Sequence, residues 1–245
     1  MNSAEKVNYI SDWIKTYVDQ MPSKAESLVI GISGGIDSSV SSTLCAMTGL
    51  KTIVLSMPIK QKVNQHDLSL KHQKWLVKKF KNIEAHTINL DELFKSFSST
   101  LNKFDNEHGF ANSRARLRMT TLYQVAAANK GIVVGTGNKV EDFGVGFYTK
   151  YGDGGVDISP IADCNKTDVW EIGKELGILK EIIDAPPTDG LWDDGRTDEG
   201  QLGFKYEDLE DAMKNPKSPH RKEYEKIRKQ NLHKMEPIPV CKIPS

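Results

Sequence analysis

Cysteine is scarce in this 245-residue chain: Cys45, Cys164 and Cys241 stand far apart and form no Cys-x-x-Cys pair. That spacing argues against both a disulfide framework and a zinc site, and it leaves the sequon Asn165-Lys166-Thr167 as a chance match. Excess charge of one sign is lacking too. With 33 Lys and Arg against 33 Asp and Glu, no global field draws the chain to nucleic acid or to a membrane, and any anionic ligand must be held by local groups. No run approaches the roughly 20 apolar residues that span a bilayer. Residues 1–20 mix polar, acidic and apolar positions, unlike a leader peptide, so a cytoplasmic location is expected. Gly-Lys-Ser/Thr is missing, which rules out a Walker P-loop. Internal repeats, low-complexity tracts and linkers are missing as well, and one domain over 1–245 is the expectation.

What is present starts with 38% hydrophobic residues, enough for a proper core. Short apolar, β-branched runs at 28–32, 52–57, 83–90 and 131–135 read as strands. Between and around them, helical spacing marks 64–80, 91–104, 114–129 and 166–176. An N-terminal amphipathic helix presents Val7, Ile10, Ile14, Tyr17 and Val18 on one face. Strands alternating with helices imply a doubly wound, Rossmann-like parallel sheet with helices on both faces and the ligand at the carboxyl ends of the strands. After residue 135 the pattern loosens. Residues 144–155 hold five glycines and read as loops lining a site. Residues 186–203 read as a long polar loop, followed by helices near 206–213 and 220–231 and a Pro-rich tail.

The first strand runs into Ser33-Gly34-Gly35-Ile36-Asp37-Ser38-Ser39. A strand turning through two glycines into a helix collects bare N–H groups and the positive helix end at one point, which suits a phosphate. Ser33, Ser38 and Ser39 add hydroxyl donors. Asp37 would repel a phosphate unless it holds a Mg²⁺ that bridges to the phosphate oxygens. The plainer alternative is a tight turn whose Ser or Asp caps a helix. Glu141 lies just past the fourth strand, on the same sheet edge if the strands are parallel, where it could complete that Mg²⁺ site. By itself it would read as a solvated helix-start glutamate.

The seven-residue turn resembles the PP-loop of the ATP pyrophosphatases, which split ATP into AMP and pyrophosphate on an adenine nucleotide alpha hydrolase-like fold. The run Gly146-Phe147-Tyr148-Thr149-Lys150-Tyr151-Gly152-Asp153-Gly154-Gly155-Val156-Asp157-Ile158-Ser159-Pro160 narrows the resemblance to the ammonia-dependent NAD synthetases. Further matches are Ala115-Arg116, Lys166-Thr167, Pro187-Thr188 with Leu191-Trp192, Thr197-Asp198-Glu199 and His233-Lys234. This resemblance implies that deamido-NAD, ATP and ammonia give NAD, AMP and pyrophosphate through an adenylate. It implies ATP contacts at Gly31, Ile32, Ser33, Gly34, Gly35, Ile36, Asp37, Ser38, Thr136, Lys166 and Thr188. Asp37 and Lys166 would be catalytic, and Asp37 with Glu141 would hold Mg²⁺. Arg116, Lys150, Asp157, His233 and Lys234 would contact deamido-NAD. A homodimer is implied too, with free ammonia rather than glutamine as donor, since no amidase domain with a Cys-Glu-Lys site is seen. The chain departs from the family at Arg196, at Met235, and at 71–79, where lysines replace an expected arginine. The alternatives are another PP-loop enzyme with a different acceptor, and a non-catalytic nucleotide sensor. The first would need zinc cysteines or a basic RNA-binding appendage, and the second would need neither Asp37 nor Glu141.

Overall fold

The structure is a computed structural model that describes residues 1–60, 63–188 and 197–243. The chain opens with α1 (Ser3–Gln20), started by a capping box in which Asn2 accepts from the Glu5 N–H and Glu5 reaches back to the Asn2 N–H. Then follow β1 (Ser27–Gly31), α2 (Ile36–Met47), β2 (Lys51–Ser56), α3 (Val63–Lys79), β3 (Ile83–Thr87), α4 (Asp91–Thr100), α5 (Glu107–Ala128) and β4 (Gly131–Val134). After a helical turn at Lys139–Val145 come α6 (Lys166–Leu176), α7 (Lys180–Ile183), α8 (Asp198–Leu202), α9 (Tyr206–Lys214) and α10 (Arg221–Met235).

The four strands form one parallel sheet in the order β3-β2-β1-β4. Strand residues alternate between two cores, as a doubly covered sheet requires. Leu28, Ile30, Val54, Ile132 and Val134 face one core, shared with α1, α2 and α6. Val29, Ile53, Leu55 and Val133 face the other, shared with α4 and α5. Leu28, Val29 and Ile30 are fully buried, and each such side chain contributes about 1.5–3 kcal/mol by leaving water. From β1 the chain winds outward through β2 to β3, then returns to add β4 on the other side of β1. The strand order therefore reverses between β1 and β4, and a crevice opens at their carboxyl ends. The turns after these two strands carry the residues singled out above.

Several expectations shift. On α1, Tyr17 is exposed and Ser11 is buried in its stead, because α1 leans on α2 and donates the Ser11 hydroxyl to the Leu44 carbonyl. β3 stops at Thr87 and is largely exposed, as befits an edge strand. The helix expected over 91–104 breaks after Thr100 into a tighter turn at Asn102–Phe104. α5 begins well before Arg114, because the Asn106 side chain caps the Gly109 N–H at 2.7 Å. The expected 186–203 loop contains the short helix α8, while its 189–196 stretch, with Leu191, Trp192 and Arg196, lies outside the described residues. α10 runs on to Met235. Among the described residues no helix is long and apolar enough to cross a membrane.

Candidate active site

β1 ends at Gly31, and the Ile32 N–H still bonds to the Leu55 carbonyl at 2.8 Å. The backbone then turns through Gly34 at φ +94°, a conformation that a side chain would strain, into Gly35, the N-cap of α2. The cradle is pre-tied by its own hydroxyls. Ser38 Oγ donates to the Gly35 carbonyl at 3.0 Å and takes the Ser33 N–H at 3.2 Å. Ser39 Oγ donates to the same Gly35 carbonyl at 2.9 Å. With Asp37 in the first turn of α2, the helix start presents donors and one carboxylate together.

The turn after β4 supplies the facing wall. Asn138, fully buried, accepts from the Val140 and Glu141 N–H groups at 3.0 Å each and donates to Asp37 Oδ1 at 3.1 Å. One amide thus starts the helical turn that carries Glu141 and binds it to α2. Gly137 is needed beside it, since a Cβ there would fall 1.9 Å from Asp142 Oδ2. Lys166, first residue of α6, enters from below and is only 1% exposed. Its ammonium lies 2.5 Å from Asp37 Oδ2 and 2.8 Å from Glu141 Oε1. Tyr206, at the head of α9, donates its hydroxyl to the same Glu141 oxygen at 2.5 Å.

These contacts set the charges. Burial alone would strip Lys166 of its proton, but Asp37 and Glu141 outweigh it and hold the ammonium above its ordinary range. Burial likewise pushes the Glu141 carboxyl up, yet Lys166, the Tyr206 hydroxyl and Asn138 together hold it below the usual value. Asp37 goes the other way: burial lifts its carboxyl, and Lys166 offsets this only in part. Asp142 is lifted well above the carboxylate range, first by burial and then by Asp153, Glu141 and Asp37. The floor of the crevice is thus rich in carboxylates, and a single lysine bridges its central pair.

Residues 31–38, Thr136, Glu141, Lys166 and Thr188 all line one cleft of about 260 Å³, so the residues expected to touch ATP come together. Met57, just past β2, and Arg118 and Leu122 from α5 complete it, with Asp198 from α8. The five residues expected to hold the acceptor lie outside that cleft. Arg116 donates to the Lys150 carbonyl at 3.3 Å, and Lys150 Nζ to the His233 carbonyl at 2.7 Å, forming a chain along one outer face. Lys234 Nζ is tied to the Gly146 and Tyr148 carbonyls at 2.8 and 2.9 Å. Asp157 accepts from the Val133 N–H at 2.7 Å and the Tyr123 hydroxyl at 3.0 Å. Cys164 is a buried packing residue whose thiol burial pushes up to about 11. Sequence reasoning missed Asn138 and Tyr206. A buried asparagine following a strand-end glycine could have been noticed, whereas nothing in the sequence ties Tyr206 to Glu141.

A glycine cradle at the switch point of a doubly wound sheet, with an acidic pair bridged by lysine, defines an α/β protein of the nucleotide-binding class. The NAD synthase family model matches residues 6–243, and the chain belongs to that family. Over 215 residues it is 37% identical to the NH(3)-dependent NAD(+) synthetase of Carboxydothermus hydrogenoformans, covering 86% of this chain and 85% of that protein. It is 36% identical to the Finegoldia magna protein of the same name, covering 96% and 94%. Among solved structures, NMN synthetase from Francisella tularensis superposes with a TM-score of 0.90 at 31% identity, over 99% of this chain and 100% of that one. The NH3-dependent NAD synthetase of Campylobacter jejuni shares the fold, with a TM-score of 0.79 at 23% identity over 99% and 100%.

Proposed function

We propose that this chain is an amide-forming ligase that uses ATP and ammonia to convert deamido-NAD to NAD, releasing AMP and pyrophosphate. The observation that carries the reading is Lys166 held between Asp37 and Glu141 beside the glycine cradle, in a chain of the NAD synthase family. The cradle of residues 33–38 and the start of α2 hold the phosphates that leave as pyrophosphate. The acceptor's nicotinate carboxylate attacks the α-phosphorus in line, and the bond to the bridging oxygen breaks with its electron pair leaving on pyrophosphate. Lys166 stabilises the charge that accumulates on those oxygens. Ammonia then attacks the acyl carbon, AMP departs with the oxygen, and the nitrogen sheds a proton. No covalent enzyme nucleophile is required, so positioning and charge neutralisation supply the rate.

Asp37 and Glu141 suit Mg²⁺, which takes one or two carboxylates and fills its shell with phosphate oxygens and waters. The ammonium lodged between them marks the spot as one that accepts a cation. Bound there, Mg²⁺ would neutralise phosphate charge. Arg116, Lys150 and His233 are our candidates for acceptor contacts on the outer face. Lys234 and Asp157 would have to exchange their present backbone partners to join them. We read the chain as one domain, working as a cytoplasmic homodimer, and light scattering checks the dimer.

A second reading is favoured by one observation, the 0.90 TM-score to the NMN synthetase of Francisella tularensis. The chemistry is unchanged if the nicotinate belongs to a mononucleotide, because the adenylated carboxylate is the same. Pyrophosphate release with Mg²⁺-ATP should be measured with deamido-NAD or nicotinate mononucleotide, each with ammonium or glutamine, identifying the amide by mass spectrometry. NAD formed from ammonium supports the first reading, and preferential amidation of the mononucleotide supports the second. No product from either acceptor, while ATP binds, would overturn both.

A further inference from the structure

Tyr206 belongs to none of the roles assigned above, yet it is placed as closely as any of them. Its side chain is fully buried, and its ring is fixed on several sides. Trp170 meets it edge-on with centroids 5.8 Å apart at 88°, and the Lys166 ammonium stands 5.0 Å from the ring centre. α9 is itself pinned to α6 by Glu210, which accepts from the Thr167 N–H at 3.0 Å and the Thr167 hydroxyl at 2.7 Å. A ring held this way aims its hydroxyl without choice of rotamer. Two carboxylates lie within reach: Glu141 Oε1 at 2.5 Å and Asp198 Oδ2 at 3.4 Å. A phenol has one proton, and the distances assign it to Glu141.

The consequence concerns Glu141 when Lys166 turns to a phosphate. Lys166 and Tyr206 both donate to Oε1, and Glu141 lines the cleft. Once the ammonium leaves, Tyr206 still holds Glu141, just as the Asn138 amide still holds Asp37. Both are neutral donors, so they orient the carboxylates without competing in charge with a divalent cation. Tyr206 also binds the segment that precedes it, because its N–H donates to Glu199 Oε1 at 3.1 Å. We propose that Tyr206 is a positioning residue, whose hydroxyl presents the Glu141 carboxylate to the divalent cation and couples that carboxylate to the Asp198–Glu199 turn. This rests on the metal role proposed for Asp37 and Glu141, and its test does not depend on which acceptor is used.

Tyr206→Phe keeps the ring, its packing and its contact with Lys166, and removes only the hydroxyl. Mn²⁺ binding to the full chain in the presence of ATP, followed by electron paramagnetic resonance, should weaken about tenfold, the scale of one hydrogen bond to a charged group. ATP binding without metal should stay within about twofold, because the cradle is untouched. Turnover, where measurable, should recover at raised Mg²⁺, shifting the metal dependence more than the ATP KM. Adding Tyr206→Phe to Glu141→Gln should weaken Mn²⁺ binding no further than Glu141→Gln alone. Should Tyr206→Phe fail to fold, 4-aminophenylalanine at the position retains ring and donor and should bind Mn²⁺ within about threefold of wild type. Wild-type Mn²⁺ affinity in Tyr206→Phe would overturn the proposal. So would equal loss of metal-free ATP binding, which marks a merely structural role, or a further loss on top of Glu141→Gln. If both amidation readings fail, these binding results still decide the role of Tyr206.

Discussion

Replacing Lys166 by Met keeps most of the side-chain volume and removes the charge between Asp37 and Glu141. The lysine is 1% exposed, and its ammonium lies 2.5 and 2.8 Å from the two carboxylates. Deleting one member of a buried ionic group costs about 3–5 kcal/mol, because the remaining charges keep their desolvation penalty and lose their attraction. For a chain of this size each kcal/mol moves the melting temperature by roughly 2–4 °C, so K166M should melt about 6–20 °C below wild type at pH 7.5. The pH response identifies the cause. In wild type, the Glu141 carboxyl is depressed by Lys166 and the other donors, so its stabilisation is present above its unfolded pKa and fades as pH falls through the folded one. In K166M the two carboxyls are raised above their unfolded values. Their penalty is complete above the folded pKa and is relieved as pH falls through it. Relief of that penalty narrows the gap between the proteins from pH 8 to pH 5, and the loss of the Glu141 contribution narrows it further only below about pH 4.5; scanning calorimetry at several pH values reads both. Pyrophosphate release should fall by about 10²–10³, as for loss of one preorganised electrostatic group. A gap under 2 °C at pH 7.5, or one that widens on acidification, would refute the reasoning.

Asp37→Ala should abolish turnover while circular dichroism stays that of the wild type, and unchanged activity would remove the metal role. Gly137→Ala puts a Cβ 1.9 Å from Asp142 Oδ2; the forced shift should cost about 1–3 kcal/mol in urea unfolding and raise the KM for ATP. His72 is buried with Nε2 3.0 Å from the Ser42 hydroxyl, and burial holds its pKa down to about 4. Because the unfolded imidazole binds its proton first, stability should fall as pH drops from about 6.5 to 4, by about 3 kcal/mol from this residue. His72→Gln should flatten that slope in urea titrations, and an unaltered slope would show that His72 is not buried neutral.

The parts legible in advance were those written in local periodicity. The β1 run, the glycine turn and α6 carry their signals within a few residues, and α6 falls on Lys166–Leu176 as expected. α5 was read too short because its first turns hold Gly109 and polar residues, and their helicity depends on the Asn106 cap. Tyr17 was placed inward by helical spacing, yet the neighbouring helices cover only the stripe through Val7, Ile10, Ile14 and Val18. Residues 31–38 and Thr136, expected to touch ATP, line one cleft because they sit in the turns after β1 and β4. The seat of the Lys234 ammonium on the Gly146 and Tyr148 carbonyls is set by α10 packing on that loop and has no local sequence signal.

By itself the sequence determined an alternating strand–helix chain with a glycine turn and helix start after β1 and a carboxylate after β4. It did so because hydrophobic period, glycine conformation and helix starts are properties of neighbouring residues. Only the tertiary structure decided that β4 pairs with β1 and not with β3, which is what brings Asn138 and Glu141 against Asp37. Only the docking of α6 and α9 decided that Lys166 would be buried between two carboxylates, and that the Tyr206 hydroxyl would reach one of them. The physical reason is that such contacts are selected by burial. Charges and a phenol taken out of water must find one another, and which ones meet depends on how the helices cover the sheet, a choice that no short stretch of chain contains.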